Sequence, residues 1–131
     1  MAGADQYVLL VEEDDDLRAT LADLLYEEGF ASCTASSADE ALAFLGVAPP
    51  PCLILLDQPS PDVSLDARVG QVRAVPGVAD VPICVLASEP RAAPDDVEAI
   101  IRKPIEVIEL LAIVRHHCRR RGAYELGAEP N

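Results

Sequence analysis

The chain is poor in basic residues: ten Lys and Arg stand against 23 Asp and Glu over 131 residues, a formal net charge of −13. Phosphate contacts need clustered cations, so this balance argues against a nucleic-acid-binding surface. The one basic cluster, Arg115 with Arg119-Arg120-Arg121, closes the last expected helix and reads as a complement to its C-terminal dipole. Cys-x-x-Cys pairs are also lacking. Cys33, Cys52, Cys84 and Cys118 are scattered, two of them inside apolar runs, and read as buried reduced thiols. His116-His117-Cys118 does not make a metal site, because consecutive helical residues point in different directions. No basic segment followed by an apolar one precedes the first strand, and no apolar run is long enough to span a bilayer. No membrane contact and a cytoplasmic location are therefore expected. There is no internal repeat.

What is present is an apolar chain punctuated by acids. Half of the residues are hydrophobic, and this length suits a single core that buries about two thirds of the unfolded surface. Val8-Leu9-Leu10-Val11 runs into Glu12-Glu13-Asp14-Asp15-Asp16, and Leu53-Ile54-Leu55-Leu56 ends on Asp57. Short uninterrupted apolar runs read as strands buried on both faces. Parallel neighbours would bring the two sets of acids together at one sheet edge, where open α/β folds place their sites. Arg102-Lys103-Pro104 ends a later strand and would bring an ammonium to the same rim. An unpaired buried carboxylate is costly, so Asp57 is read as an anchor of the site with Lys103 as its partner.

Strand and helix alternate along the chain. Leu17, Leu21, Leu24 and Leu25 recur at helical spacing, with Asp14 or Asp15 as N-cap and Gly29 as the stop. Phe30 to Ala35 is expected to form an edge strand. Ser37-Ala38-Asp39-Glu40 is a capping box that opens a second helix through Leu45. Leu65, Val69 and Val72 line a third helix, capped by Ser64 and ended by Pro76-Gly77. Pro82 to Ala87 is a fourth strand and Ile100-Ile101-Arg102 a fifth; Val107, Leu110, Leu111, Val114 and Cys118 define the last helix. Between the fourth and fifth strands lie only Ser88 to Ala99, with Pro90 and Pro94. An average helix takes about 11 to 12 residues, so the fourth helix is expected to be truncated or missing. Residues 1–121 are read as one domain and 122–131 as a polar tail or the start of a linker.

In order, the acidic pair with Arg18 after it, L-I-L-L-D ending at Asp57, Pro61-Asp62, a strand beginning at Pro82 and Lys103-Pro104 resemble the receiver domain of bacterial two-component response regulators. That resemblance covers about Gln6 to Arg121. It implies a flavodoxin-like α/β fold, a five-stranded parallel sheet with helices on both faces. It implies Asp57 as phosphoacceptor from a histidine kinase or phosphotransfer protein, Lys103 as the phosphoryl and charge partner, and Mg²⁺ on Glu12, Glu13, Asp57 and the carbonyl of Pro59. The ion and the lysine neutralise the charge that would otherwise oppose carboxylate attack on phosphorus.

The chain also departs from the pattern. Glu13 stands where the family has Asp, and Mg²⁺ demands near-octahedral geometry at about 2.0 to 2.1 Å, so the extra methylene is expected to weaken or displace the ion. The switch hydroxyl of the family falls at Ala87, with Ser88 one residue later and facing the other way; the accompanying aromatic is Ile100. Val63-Ser64-Leu65 replaces the usual small-residue turn. These departures favour an atypical pseudo-receiver that meets another signalling protein through a fixed surface, expected at the edge of the fifth strand and the last helix, over a receiver phosphorylated on Asp57. A metal-dependent phosphoryl hydrolase of the haloacid-dehalogenase type would need a second Asp where Pro59 stands. A flavodoxin-like cofactor binder would need a phosphate loop in place of the acids. The expectation is a signalling module and not an enzyme.

Overall fold

The apolar runs become strands, and the acids that follow them fall at strand ends. The computed structural model describes residues 6–58, 64–89 and 96–120. Its elements are β1 (Val8–Val11), α1 (Asp15–Glu27), β2 (Ser32–Ala35), α2 (Ala38–Leu45), β3 (Leu53–Asp57), α3 (Leu65–Arg73), β4 (Ile83–Ala87), β5 (Ala99–Arg102) and α4 (Val107–His117). The strands form one parallel sheet in the order β2-β1-β3-β4-β5. This is the flavodoxin-like doubly wound order, with its reversal between β1 and β3.

Burial on both faces explains why β1, β3 and β4 carry no polar residue before their ends. Leu9, Val11, Ile54, Leu56, Ile83, Val85 and Ala87 face α2 and α3 through Ala41, Leu45, Leu65, Val69 and Val72. Val8, Leu10, Leu53, Leu55, Cys84, Leu86 and Ile101 face α1 and α4 through Leu21, Leu25, Leu110 and Val114. Each of these large side chains contributes about 1.5 to 3 kcal/mol by leaving water. The two-sided core fixes the register, since a one-residue slip would exchange the faces.

Local signals set the helix ends. Asp14 accepts from the Leu17 N–H, Ser37 from Glu40 and Ser64 from Ala67. Glu40 completes its box one residue early, accepting from the Ser36 N–H at 2.6 Å and the Ser36 hydroxyl at 2.9 Å. α1 closes in a Schellman motif: Gly29 at φ 93° donates to Tyr26, and Phe30 donates to the Leu25 carbonyl. The first helical stop is thus a glycine because only glycine adopts that backbone without strain.

Several expectations are corrected. β2 starts at Ser32 and not Phe30, because Phe30 is spent on the Schellman turn and buries its ring in the core. Cys52 and Cys118 are not reduced thiols: they form a disulfide with a Cα–Cα distance of 5.5 Å. Cys84 is buried and free as expected, while Cys33 is free and half-buried. The basic cluster does more than face a helix dipole. α4 ends at His117, and Arg115 and Arg120 converge from either side of that end on Glu28 of the α1 terminus, at 3.0 and 3.9 Å. Between β4 and β5 no helix occurs among the described residues; Ser88, Glu89 and 96–98 are non-helical, and 90–95 lie outside the described residues. Arg73 of α3 ties the loop before β4 to the segment before β5, donating to the Asp96 carbonyl at 2.8 Å, to Asp96 Oδ2 at 3.2 Å and to the carbonyls of Val78 and Val81.

Candidate functional site

The parallel register delivers the site. Val11 lies opposite Leu56, so the residues after them, Glu12 and Asp57, emerge side by side at the carboxyl edge of the sheet. Ala87 lies opposite Arg102, and the Lys103 N–H donates to the Ala87 carbonyl at 2.8 Å. That bond turns the chain so that Lys103 reaches back over the end of β3. A cis peptide bond joins Lys103 to Pro104.

Lys103 Nζ lies 2.9 Å from Asp57 Oδ1 and 2.9 Å from Glu12 Oε1, and donates to Glu12 Oε2 at 3.2 Å. One ammonium therefore bridges two carboxylates. Asp57 Oδ2 also accepts the Glu13 N–H at 3.3 Å, and Glu12 Oε2 accepts the Asp14 N–H at 3.1 Å. Arg18 donates to the Glu12 carbonyl at 2.9 Å and pairs with Asp15 at 2.7 Å, which ties the first turn of α1 to the end of β1. The loop is rigidified from both sides.

The two residues of the acidic pair are not equivalent. Glu12 is 1% exposed and Glu13 is exposed, because alternation at the strand end turns the first inward and the second out. Burial raises the Glu12 carboxyl above its ordinary range, partly opposed by its hydrogen bond from Lys103. Burial alone would lower the Lys103 ammonium; its hydrogen bonds to Asp57 and Glu12 outweigh this and raise it. The lysine is thus held protonated. Glu12 Oε1 sits within ion-pair distance of Lys103, yet no hydrogen bond is aligned with it. The contact is electrostatic in character, with the directed bond going to Oε2.

Hard oxygen ligands suit Mg²⁺, and Asp57 and Glu12 offer them. Among the described residues, however, no three carboxylates, imidazoles or thiols gather closely enough to share an ion. Glu13 contributes its backbone N–H to Asp57, and Pro59 lies outside the described residues, as do Pro61-Asp62.

The remaining positions singled out from the sequence lie beside the pocket. Ala87 is 1% exposed and packs with Val85 and the half-buried Ile100 on the α2/α3 side. Ser88 is exposed, beyond the strand. Sequence reasoning missed the unequal division of labour between Glu12 and Glu13, although strand alternation carried the signal. It also missed the Arg18 brace, which no short motif announces.

No family model matches the chain. It is 29% identical over 123 residues to an uncharacterized 14.6 kDa protein of Leptolyngbya boryana, covering 88% of this chain and 92% of that protein. It is 34% identical over 124 residues to the transcriptional regulatory protein PrrA of Mycobacterium leprae, covering 88% of this chain. The chain spans about half, 51%, of that regulator's length. Among solved structures, the chemotaxis protein CheY4 of Vibrio cholerae superposes with a TM-score of 0.73 at 23% identity, over 86% of this chain and 98% of that one. The receiver domain of a sensor histidine kinase from Pseudomonas aeruginosa, described with a magnesium ion coordinated in its active-site cleft, superposes at 0.70 and 21% identity over 86% and 96%. In architecture the chain has the response-regulator receiver fold.

Proposed function

We propose that the chain is an atypical receiver domain of two-component signalling that works through protein–protein contact, with metal binding and the phosphorylation relay both impaired. The observation that carries the reading is the Lys103 bridge: the ammonium binds Asp57 and Glu12 together at 2.9 Å each. A cation already sits between the carboxylates that would otherwise share Mg²⁺. The exposed Glu13 carries one more methylene than the family's Asp, so the donor set is short on that side too. Ala87 offers no hydroxyl to a phosphoryl group, and its methyl is locked in the core. A ligand shifts an equilibrium only through differential contacts with the two states. Without such contacts the relay is silent.

In this reading the functional unit is residues 1–121, a signalling module in the cytoplasm and not an enzyme. No described helix is long and apolar enough to cross a membrane. The partner is another signalling protein. The surface offered is the open edge of β5 with the start of α4, where Ile108 is 84% and Val107 46% exposed. A hydrolase is disfavoured because the position of its second acid is Pro59.

One observation favours the second reading, in which a histidine kinase or phosphotransfer protein phosphorylates Asp57. Asp57 is 18% exposed, so its carboxylate is open to a phosphoryl donor. The Oδ that attacks would displace the donor's leaving group from phosphorus, and Lys103 would move its hydrogen bond to a phosphoryl oxygen. Intact mass after incubation with a small acyl phosphate and Mg²⁺, beside Asp57→Asn, separates the readings. The pseudo-receiver gains no mass. A single phosphoryl gain that the variant lacks would establish the phosphorylatable receiver instead.

A further inference from the structure

The disulfide occupies the opposite edge of the sheet from the carboxylates. Cys52 immediately precedes β3, and Cys118 caps the end of α4. Asp57 lies five residues further along β3, about 17 Å away at the usual strand rise. We infer that Cys52 and Cys118 form a reversible thiol–disulfide site, opened by a dithiol reductant, that controls whether residues 119–120 stay clasped to the domain. This inference does not depend on the receiver reading.

Three observations carry it. The Cα–Cα separation of 5.5 Å is in the middle of the range that a disulfide spans without backbone movement. Secondly, the Tyr7 carbonyl lies 3.1 Å from Cys52 Sγ. A disulfide sulfur has no hydrogen to give, but a Cys52 thiol at that place would donate to this oxygen. The reduced form therefore has its acceptor waiting. Thirdly, the two residues differ in exposure: Cys52 is half-buried and Cys118 is 8% exposed. Attack is directed to Cys52.

One thiolate of the dithiol attacks Cys52 Sγ, the S–S bond breaks, and its electron pair leaves on Cys118 Sγ, which takes a proton. The second thiol of the reductant then attacks its own mixed-disulfide sulfur and expels Cys52 as a thiol. The protein gains two hydrogens and the reductant becomes a cyclic disulfide. Neither free cysteine competes: burial pushes the Cys84 thiol up to about 12 and raises Cys33 as well, so both are poor in thiolate.

What the bond restrains is legible from what lies beyond it. The Arg119 N–H donates to Gln6 Oε1 at 2.7 Å, and the Arg120 stem lies over Gly29, where a Cβ would meet it at 3.5 Å. Arg120 reaches Glu28 at 3.9 Å. Arg119 and Arg120 are exposed, and contacts made by exposed side chains hold a chain weakly. With the disulfide open, little else keeps 119–120 in place.

The test is limited trypsin digestion of the full chain, oxidised and after dithiothreitol, with fragments read by mass. Cleavage after Arg119 and Arg120 should be about tenfold or more faster in the reduced protein, since proteolysis follows the open population. Cleavage after Arg18 and Arg73 should stay slow in both forms. Cys52→Ser/Cys118→Ser should cut as fast as the reduced protein with or without dithiol. Alkylation before and after reduction checks the bond itself in the unmutated chain. Equal rates at Arg119 and Arg120 in the two forms, or acceleration at all sites together, would overturn the clasp. So would alkylation of Cys52 and Cys118 in protein that has met no dithiol.

Discussion

Replacing Lys103 with Met removes the one cation that serves two carboxylates, and the structure sets the size of the loss. Asp57, at 18% exposure, can be rehydrated; Glu12, at 1%, cannot. Among the described residues, the directed contact that remains to the Glu12 carboxylate is the Asp14 N–H at 3.1 Å. Glu12 must then either stay charged in a dry site or take a proton. Protonation at pH 7 from an ordinary Glu value near 4.3 costs about 3 to 4 kcal/mol, which caps the penalty. Breaking a buried ion pair by deleting one partner falls in the same range, about 3 to 5 kcal/mol. At pH 5 the same ceiling drops to about 1 kcal/mol.

The sign follows from Glu12. Its folded value is raised by burial, and without Lys103 the Asp14 N–H is left to oppose a rise that the Asp57 charge reinforces. A carboxyl raised in the folded state contributes its stability below the unfolded value and loses it as pH climbs through the folded one. The gap between wild type and Lys103→Met should therefore widen from pH 5 to pH 7. Urea unfolding followed by circular dichroism at both pH values reads it. Adding Glu12→Gln should recover most of the loss at pH 7. A gap of the same size at both pH values, or one below about 1 kcal/mol at pH 7, would show that water reaches Glu12 and refute the reasoning.

Three further outcomes follow from named contacts. Ser37→Ala deletes the acceptor of the Glu40 N–H and should cost about 1 kcal/mol in chemical denaturation. Ala87→Thr supplies the missing hydroxyl but overfills a 1% exposed site beside Val85 and Ile100, so thermal unfolding should show about 1 to 3 kcal/mol of destabilisation. Arg73→Met removes the donor to the Val78, Val81 and Asp96 carbonyls. Hydrogen exchange should accelerate at residues 96–98 and 78–81 and stay unchanged in β1 and β3.

The sheet was legible because its signal is redundant. Val8 to Val11, Leu53 to Leu56 and Ile83 to Ala87 are each apolar on both faces, which only a central parallel strand satisfies, and their order along the chain admits few topologies. Caps at Asp14, Ser37 and Ser64 are local chemistry, read three residues at a time. The meeting of Glu12, Asp57 and Lys103 was legible as far as strand ends could carry it. Beyond that, distance in sequence defeats pattern. Cys52 and Cys118 are 66 residues apart, and nothing near either says that a strand start and a helix end will touch. Arg120 meeting Glu28 has the same origin. The start of β2 was misjudged by two residues because Phe30, apolar and β-favouring, is claimed by the turn that Gly29 opens. Tertiary demand overrode propensity there.

The most direct test of the central claim, that the Lys103 bridge takes the place of a bound ion, is a Mg²⁺ titration of the ¹⁵N-labelled chain followed by amide chemical shifts. Glu13, Asp57 and Lys103 should show no saturable, site-specific shift, while Lys103→Met, with the Asp57 carboxylate freed, should begin to respond. A saturable response centred on Asp57 in the unmutated chain would mean that the ion displaces or accommodates the lysine, and the pseudo-receiver reading would fail.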